Sequence, residues 1–218
     1  METNQLQAVI FDMDGVMVDS EPIYFASNGK VFSDLGFTVS HDDYAQFVGL
    51  DAARMWARLK ILHDLPQPVD ELVGMEADGM VAGLLAADLE AMPGLHDLIE
   101  SLRSQGCKLA LASSSSHRVI LTVLEKLGLE DVFNPIVSGE DVAHGKPSPD
   151  IFLHTAGLLG IPPAGCLVIE DSANGVRAAT AAGMRCIGFR NPNSGAQDLS
   201  PAERIVDSLD QILFIKPG

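Results

Sequence analysis

The sequence predicts an α/β protein whose doubly wound parallel sheet is interrupted once by a helical insert. From Pro93 onward, short apolar runs alternate with stretches of helical periodicity, which is typical of a parallel sheet with helices on both faces. Residues 21–89 carry apolar side chains at helical spacing and few β-branched runs, after one opening strand at residues 9–11. Because that strand finds no partner in the helical segment, we expect it to join the later strands, so the insert divides one sheet domain.

The predicted sheet domain covers residues 1–18 and 92–218, and the predicted helical insert covers residues 19–91. Both junctions, at 19–22 and 92–94, contain proline with small or polar residues, as expected of hinges. The insert is expected to hold four helices, with apolar positions within 26–35, 44–48, 55–62 and 72–85. In the sheet domain, strands are expected at 108–112, 135–137, 166–169, 186–189 and 204–206, and helices at 95–102, 119–127, 151–159, 176–182 and 209–214.

Composition narrows the class of protein and of partner. The 218 residues are 47% hydrophobic with a formal net charge of −16, so we expect a folded, acidic chain. This charge argues against binding to nucleic acid or to an anionic membrane surface, and it suits a divalent cation. The three cysteines lack metal-ligand spacing, the N-terminus lacks a signal pattern, and no apolar run could span a bilayer. We therefore expect small buried thiols in a cytoplasmic protein.

Four predicted strands end in polar side chains, or are followed by them in the next loop. These residues are Asp12 and Asp14, Ser113, Lys146, and Glu170 with Asp171. Each has an ordinary explanation, since aspartates favour turns, serines and acids cap helices, and a loop lysine is usually solvated. The carboxyl ends of parallel strands lie at one edge of a sheet, however, so these groups should converge. Their coincidence at several strand ends favours a functional site.

This set of groups is suited to phosphoryl transfer. A carboxylate can form an aspartyl-phosphate, and a second carboxyl group can protonate the leaving oxygen and later activate water. A hydroxyl and a lysine can hold the phosphoryl oxygens. Further carboxylates can hold Mg²⁺, a hard ion that prefers oxygen ligands and offsets repulsion between an anionic nucleophile and an anionic substrate.

Four motifs, in order, resemble those of the haloacid dehalogenase-like superfamily. They are residues 12–16 (DMDGV), Ser113 after an apolar strand, residues 145–149 (GKPSP) and residues 170–175 (EDSANG). The position of the insert is similar to that of the helical cap in the beta-phosphoglucomutase-like and sugar-phosphatase branch. The resemblance covers essentially the whole chain. It implies a Rossmann-like core with a small all-α cap, and a monomeric, Mg²⁺-dependent phosphatase of a small phosphorylated metabolite such as a sugar phosphate.

The resemblance also implies a role for each motif residue. Asp12 would be the nucleophile and Asp14 the general acid and base. The phosphoryl group would be bound by Ser113, Ser114 and Lys146. The Mg²⁺ ligands would be Asp12, the backbone carbonyl of Asp14 and Asp171, with Glu170 as a direct or supporting ligand. Three further residues are candidates to contact the leaving group: Glu21, Arg54 and His117.

Two alternatives stay open beside the phosphatase. A beta-phosphoglucomutase-like phosphotransferase would carry a cap arginine after a glycine turn, a histidine on the first cap helix and a later cap lysine. In the similar turn at residues 48–54, an alanine takes the place of the arginine, Tyr24 stands where the histidine would be, and the lysine has no counterpart near residues 74–76. These departures favour a phosphatase. A phospho-receiver module is the more distant alternative, and both the length of this chain and the 12–14 motif argue against it.

Overall fold

The computed structural model describes residues 6–47 and 50–212, and it confirms the predicted α/β class. Six parallel strands form one sheet in the order β3-β2-β1-β4-β5-β6. The strands are β1 (Ala8–Phe11), β2 (Lys108–Ser113), β3 (Ile136–Ser138), β4 (Cys166–Glu170), β5 (Arg185–Phe189) and β6 (Arg204–Val206). The helices are α1 (Glu21–Asp34), α2 (His41–Tyr44), α3 (Ala52–Leu62), α4 (Val69–Ala86), α5 (Leu95–Ser104), α6 (His117–Leu127), α7 (Asp150–Leu159) and α8 (Ala173–Ala181).

Both faces of the central strands β1 and β4 are buried, which explains why they read as continuous apolar runs. In β1, Val9 and Phe11 point into one apolar cluster, which includes the buried residues of α5 and α6. Ala8 and Ile10 point into the opposite cluster, with the buried residues of α7 and α8. Alternate residues of one strand therefore anchor helices on both faces of the sheet, as the period of two requires.

The four helices α1–α4 lie between β1 and β2 in the chain and have an apolar core of their own. Trp56 and Leu72 are fully buried in it, and Phe32 packs edge-to-face on Trp56 with ring centroids 5.5 Å apart. The two chain crossings to the sheet domain are tied together, since the Met92 N–H donates to the Met17 carbonyl over 2.8 Å. The exact domain boundaries stay a prediction.

Some elements differ from the sequence-based expectation. Residues 209–214 were expected as a helix, but Leu209–Ile212 is a 3₁₀ turn, and residues 213 and 214 lie outside the described residues. The second insert helix is the short α2 followed by a 3₁₀ turn at Ala45–Phe47, and Val48 is outside the described part. Ile61 and Leu62 were counted with the apolar face of α3, yet they are exposed near its end.

Two further sequence-based expectations concern the cysteines and membrane-spanning helices. Cys107, Cys166 and Cys186 are buried free thiols, as expected of small apolar core residues. Among the described residues, no helix combines the length and the apolar character needed to cross a membrane.

Candidate active site

The strand order brings three buried carboxylates together at one edge of the sheet. β1 and β4 are neighbours at the point where the strand order reverses, where ligands bind in open α/β sheets. Asp12 follows β1, Glu170 ends β4 and Asp171 follows it. One carboxylate oxygen from each of these three residues lies within 4.8 Å of the others.

Lys146 supplies the positive charge in this cluster. Its ammonium donates to Asp12 Oδ1 over 2.5 Å, to Glu170 Oε1 over 2.7 Å and to the Ala112 carbonyl over 3.2 Å. The lysine is 1% exposed. Burial alone would lower the pKa of its ammonium, but the carboxylates of Asp12 and Glu170 outweigh burial and raise it. Lys146 is therefore held as a buried cation.

One ammonium does not balance three buried carboxylates. Burial raises the pKa of Asp12 well above its usual range, with Lys146 opposing the rise and Glu170 adding to it. Burial also raises the pKa of Asp171 well above its usual range, and repulsion from Glu170 and Asp12 adds to it. A buried, carboxylate-only donor set with excess negative charge fits a hard divalent cation such as Mg²⁺.

Two glycines leave room for these carboxylates. A Cβ on Gly175 would stand 1.6 Å from Glu170 Oε1, and a Cβ on Gly15 would stand 1.9 Å from Asp171 Oδ2. Gly15 also has φ +77°, a conformation that side chains disfavour. The motif glycines therefore allow the chain to pass directly against the acidic cluster.

Glu170 and Asp171 differ in how many partners already hold them. Glu170 Oε2 accepts from the Ser172 N–H over 2.8 Å and from the Ser172 hydroxyl over 2.9 Å, while Oε1 accepts from Lys146. Asp171 Oδ2 accepts a hydrogen bond from the hydroxyl of Ser194, in the loop after β5. Glu170 is thus the more fully satisfied of the two, which suits a group that positions Lys146.

Asp14 lies beside the cluster in a ring of hydroxyl groups. Its Oδ1 accepts from Ser20 over 2.6 Å, and its Oδ2 accepts from Ser115 over 2.7 Å and from Ser113 over 3.3 Å. Burial raises the pKa of Asp14, and the three hydroxyl donors oppose that rise. Asp14 is therefore oriented by hydrogen bonds and has no lysine partner of its own.

A hydrogen-bonded chain connects the insert to Asp14. The Tyr24 hydroxyl, on α1, lies 2.5 Å from Ser115 Oγ. When Asp14 is ionised, the single Ser115 proton is directed at it, so the Tyr24 hydroxyl donates to Ser115 Oγ. The order Tyr24, Ser115, Asp14 runs from the insert across the serine loop to the acidic site.

A cavity lies between the acidic edge of the sheet and the helical insert. Its sheet-side wall includes Asp12, Asp14, Lys146, Glu170 and Asp171, together with the serine loop at residues 114–116. Its insert-side wall carries a mixture of acidic, phenolic and apolar side chains. These are Glu21, Tyr24, Tyr44, Phe47, Leu50, Ala52, Met55, Val73, Glu76, Ala77 and Met80.

The site residues expected from the sequence fall into two groups. Those of the four motifs converge, with Ser114 lining the cavity and Ser113 buried behind it against Asp14. Of the three expected leaving-group contacts, Glu21 lines the cavity.

Arg54 and His117 are not among the residues that line the cavity, and each has a different partner. Arg54 Nη1 donates to the Lys146 carbonyl over 3.0 Å, which ties the insert to the lysine loop. His117 Nε2 lies 3.0 Å from Asp141 Oδ1. This geometry does not favour contact with the substrate, and any substrate role for the two residues stays a prediction.

Sequence reasoning did not assign a role in the site to several residues that the structure places there. They are Ser20, Tyr24, Tyr44, Glu76, Ser115 and Ser194. Ser115 could have been found within the four-serine run, and Ser194 as a polar residue after the fifth strand. Glu76 follows Leu72 and precedes Met80 at spacings of four, and all three are buried on one face of α4. An acid at an apolar helical spacing was the available signal.

Comparison with known proteins gives a consistent result. The family model described as haloacid dehalogenase-like hydrolase matches residues 6–183. A phosphorylated carbohydrates phosphatase of Thermotoga maritima is 33% identical, covering 95% of this chain and 100% of that protein. The chloroplastic Protein SUPPRESSOR OF QUENCHING 1 of Arabidopsis thaliana is also 33% identical, over 91% of this chain, but this chain spans only 19% of its length.

A solved structure is similar over nearly the whole chain. The crystal structure of CbbY from Rhodobacter sphaeroides, in complex with phosphate, superposes with a TM-score of 0.88 at 27% identity. The match covers 95% of this chain and 96% of that one.

Proposed function

Because this chain belongs to the haloacid dehalogenase-like hydrolase family, we propose that it is a Mg²⁺-dependent phosphohydrolase of a small phosphorylated metabolite. One observation carries the proposal. Asp12, bonded to Lys146 at 2.5 Å, and Asp14, held by three hydroxyls, face the same cavity at one edge of the sheet. This arrangement supports Asp12 as the nucleophile and Asp14 as the proton carrier.

The reaction would proceed in two displacements at phosphorus. An Asp12 carboxylate oxygen attacks the phosphorus while the bond to the leaving oxygen breaks, and Asp14 gives its proton to that oxygen. Water then attacks the aspartyl-phosphate, Asp14 accepts a proton from the water, and the bond from phosphorus to Asp12 breaks. Inorganic phosphate leaves, and both carboxyl groups return to their initial states.

The surrounding groups would hold the transferring phosphoryl group. Lys146 and the serine loop, with Ser113 and Ser114, offer an ammonium, hydroxyls and backbone N–H groups at the edge where negative charge moves. Asp12, Asp171 and the backbone carbonyl of Asp14 would hold Mg²⁺, with Glu170 supporting through Lys146. Bound there, Mg²⁺ would supply positive charge that offsets repulsion between the Asp12 carboxylate and the phosphate ester.

The proposal for the substrate is supported by the name of a relative and by the charges that line the cavity. The Thermotoga maritima relative is named a phosphorylated carbohydrates phosphatase, which supports a sugar phosphate as the substrate. A phosphotransferase of the same chemistry would have to grip a second phosphate. Lys146 is the one cationic side chain among the described residues that line the cavity, which favours hydrolysis. A monomeric state and a cytoplasmic location stay predictions of the sequence.

Mg²⁺ dependence is the direct test of this function. With Mg²⁺ and p-nitrophenyl phosphate, we expect sustained release of p-nitrophenol over many turnovers. Excess chelator should stop it and added Mg²⁺ should restore it, because the acidic cluster needs a counter-charge to accept an anionic substrate. The midpoint of thermal unfolding should also rise with Mg²⁺, since a ligand that binds only the folded state stabilises it. Turnover that persists in excess chelator would contradict the metal assignment, and a stable phosphoprotein without turnover would favour the receiver alternative.

Tyr24→Phe tests the hydrogen-bonded chain to Asp14. When Tyr24 loses its hydroxyl, Ser115 loses a hydrogen-bond partner and is freer to rotate away from Asp14. We therefore expect kcat to fall by about 3- to 10-fold. The loss should be larger for alkyl phosphates than for p-nitrophenyl phosphate, whose leaving group needs little protonation. Phe37→Leu is the packing control, because Phe37 stacks on Phe32 and His63 in the insert core and does not line the cavity. Equal losses for both substrate types would contradict a role through Asp14.

A further inference from the structure

The insert-side wall of the cavity carries acidic side chains and, among its described residues, no cationic one. Among its described residues it holds two acids, Glu21 and Glu76, two phenols, Tyr24 and Tyr44, and otherwise apolar side chains. Lys146 lies in the opposite wall, where it already pairs with Asp12 and Glu170. The part of the substrate that extends away from the reacting phosphorus therefore meets no cation within the described wall.

Glu76 is held rigidly at this wall. It is 8% exposed, and its Oε2 accepts from Trp56 Nε1 over 2.7 Å. Asn28, itself 1% exposed, directs its amide N–H groups to the Tyr44 hydroxyl over 2.8 Å and to Glu76 Oε1 over 3.4 Å. A buried amide and a buried indole thus fix the position of both Tyr44 and Glu76.

These two groups are suited to alcohol hydroxyls. Tyr44 accepts from Asn28, which leaves its own proton free to donate into the cavity. Burial raises the pKa of Glu76 to about 7, and burial also raises the pKa of Glu21 to about 8. Each carboxyl group can therefore accept a hydrogen bond or donate one near neutral pH. Met55 and Val73 offer apolar surface beside them for C–H groups.

The same wall is unfavourable for a second phosphate. Above neutral pH, where Glu76 carries its charge, a phosphate dianion placed against it would be desolvated beside like charge, with no described cation in the wall to compensate. Sites that leave a buried charge unpaired reject such a ligand strongly.

On these grounds we propose that Glu76 is a specificity-determining residue, which selects phosphate monoesters with an uncharged, hydroxyl-rich leaving group and rejects sugar bisphosphates. The proposal rests on the proposed phosphatase function and narrows its substrate class. Glu76 would contact a hydroxyl of the leaving group together with Tyr44, and its charge would exclude a second phosphate.

The test compares matched substrate pairs at pH 8, where Glu76 is ionised. The kcat/KM values are measured for sugar and polyol monophosphates and for their bisphosphate counterparts, for example fructose 6-phosphate and fructose 1,6-bisphosphate. We expect the wild type to prefer the monophosphate by at least about 100-fold. Glu76→Gln keeps the shape of the side chain and removes its charge, and it should lower this preference by at least about 10-fold.

Two further variants separate charge from packing. Glu71→Gln makes the same change at an exposed position of α4 and should leave the preference within about 2-fold of wild type. Tyr44→Phe removes a hydroxyl without removing charge, so monophosphate kcat/KM should fall about 10-fold while the bisphosphate stays a poor substrate. The wild-type ratio decides the selectivity claim even where Glu76→Gln fails to fold.

The outcomes distinguish this proposal from the proposed function. Wild-type enzyme that hydrolyses bisphosphates as well as monophosphates would overturn the proposal, as would an unchanged preference in folded Glu76→Gln. Turnover of p-nitrophenyl phosphate without turnover of any sugar or polyol monophosphate would also overturn it. Absence of turnover even with p-nitrophenyl phosphate and Mg²⁺ would instead contradict the phosphatase function itself.

Discussion

Asp12→Asn is expected to lower kcat by at least about 10⁴-fold while the protein stays folded. An amide oxygen is a poor nucleophile and cannot form the acyl-phosphate, so the first displacement is lost. Folding should survive because Lys146 keeps its bonds to Glu170 and to the Ala112 carbonyl, and the substitution removes one of three crowded carboxylates. Steady-state kinetics with p-nitrophenyl phosphate and the midpoint of thermal unfolding measure the two effects.

The control for Asp12→Asn is the same change at an exposed aspartate. Asp131→Asn lies on the surface and should keep wild-type kcat and stability. If Asp12→Asn retained kcat within about 10-fold of wild type, Asp12 would not be the nucleophile.

Lys146→Met is expected to remove turnover and also to destabilise the fold by about 3–5 kcal/mol. The substitution keeps much of the side-chain length but leaves Asp12 and Glu170 buried without their counter-charge. Because Lys146 is only 1% exposed, water cannot easily replace that charge. Urea unfolding in the absence of Mg²⁺ gives the change in free energy of unfolding. The exposed Lys30→Met, on α1, is the matched control and should change stability by less than about 1 kcal/mol.

The destabilisation by Lys146→Met should depend on pH. Burial already raises the pKa of Asp12, and loss of the Lys146 ammonium removes the charge that opposes this rise, so the pKa of Asp12 in the folded variant should lie further above its unfolded value. The folded state then binds more protons than the unfolded state, so its stability falls as pH rises through the native pKa of Asp12. The deficit relative to wild type should therefore be smaller at pH 5 than at pH 8. A variant as stable as wild type at pH 8 without Mg²⁺ would contradict the charge balance of the site.

Much of the fold could be predicted because the local signals agree with the tertiary structure. β4 and β5 are short apolar runs, and the residue that follows β4 is an acid at the open edge of the sheet. Glycines end α6 and α7 in the left-handed conformation, at Gly128 and Gly160. The prediction of a fifth core helix at residues 209–214 was wrong, because residues 209–212 form a single 3₁₀ turn that packs against the sheet domain.

The sheet side of the site was predictable for a similar reason, and the insert side was not. Asp12 and Asp171 directly follow neighbouring parallel strands, so the topology places them together, and Lys146 lies in the loop after β3 at the same edge of the sheet. Tyr24 and Glu76 reach the cavity only through the packing of α1 against α4. The helical spacing of Glu76 indicates a buried acid, but it does not indicate what that acid faces. Arg54 was expected to face the leaving group, but its guanidinium extends to the Lys146 carbonyl.

The central claim is that Asp12 is phosphorylated during turnover, and chemical trapping tests it most directly. Enzyme turning over substrate with Mg²⁺ is quenched in acid and reduced with borohydride, which converts an aspartyl-phosphate to homoserine. Peptide mass spectrometry then locates the modified residue. We expect homoserine at position 12 and unmodified aspartate at position 14. The homoserine should form only when substrate is present. Homoserine at another aspartate, or none under conditions of rapid turnover, would contradict the account.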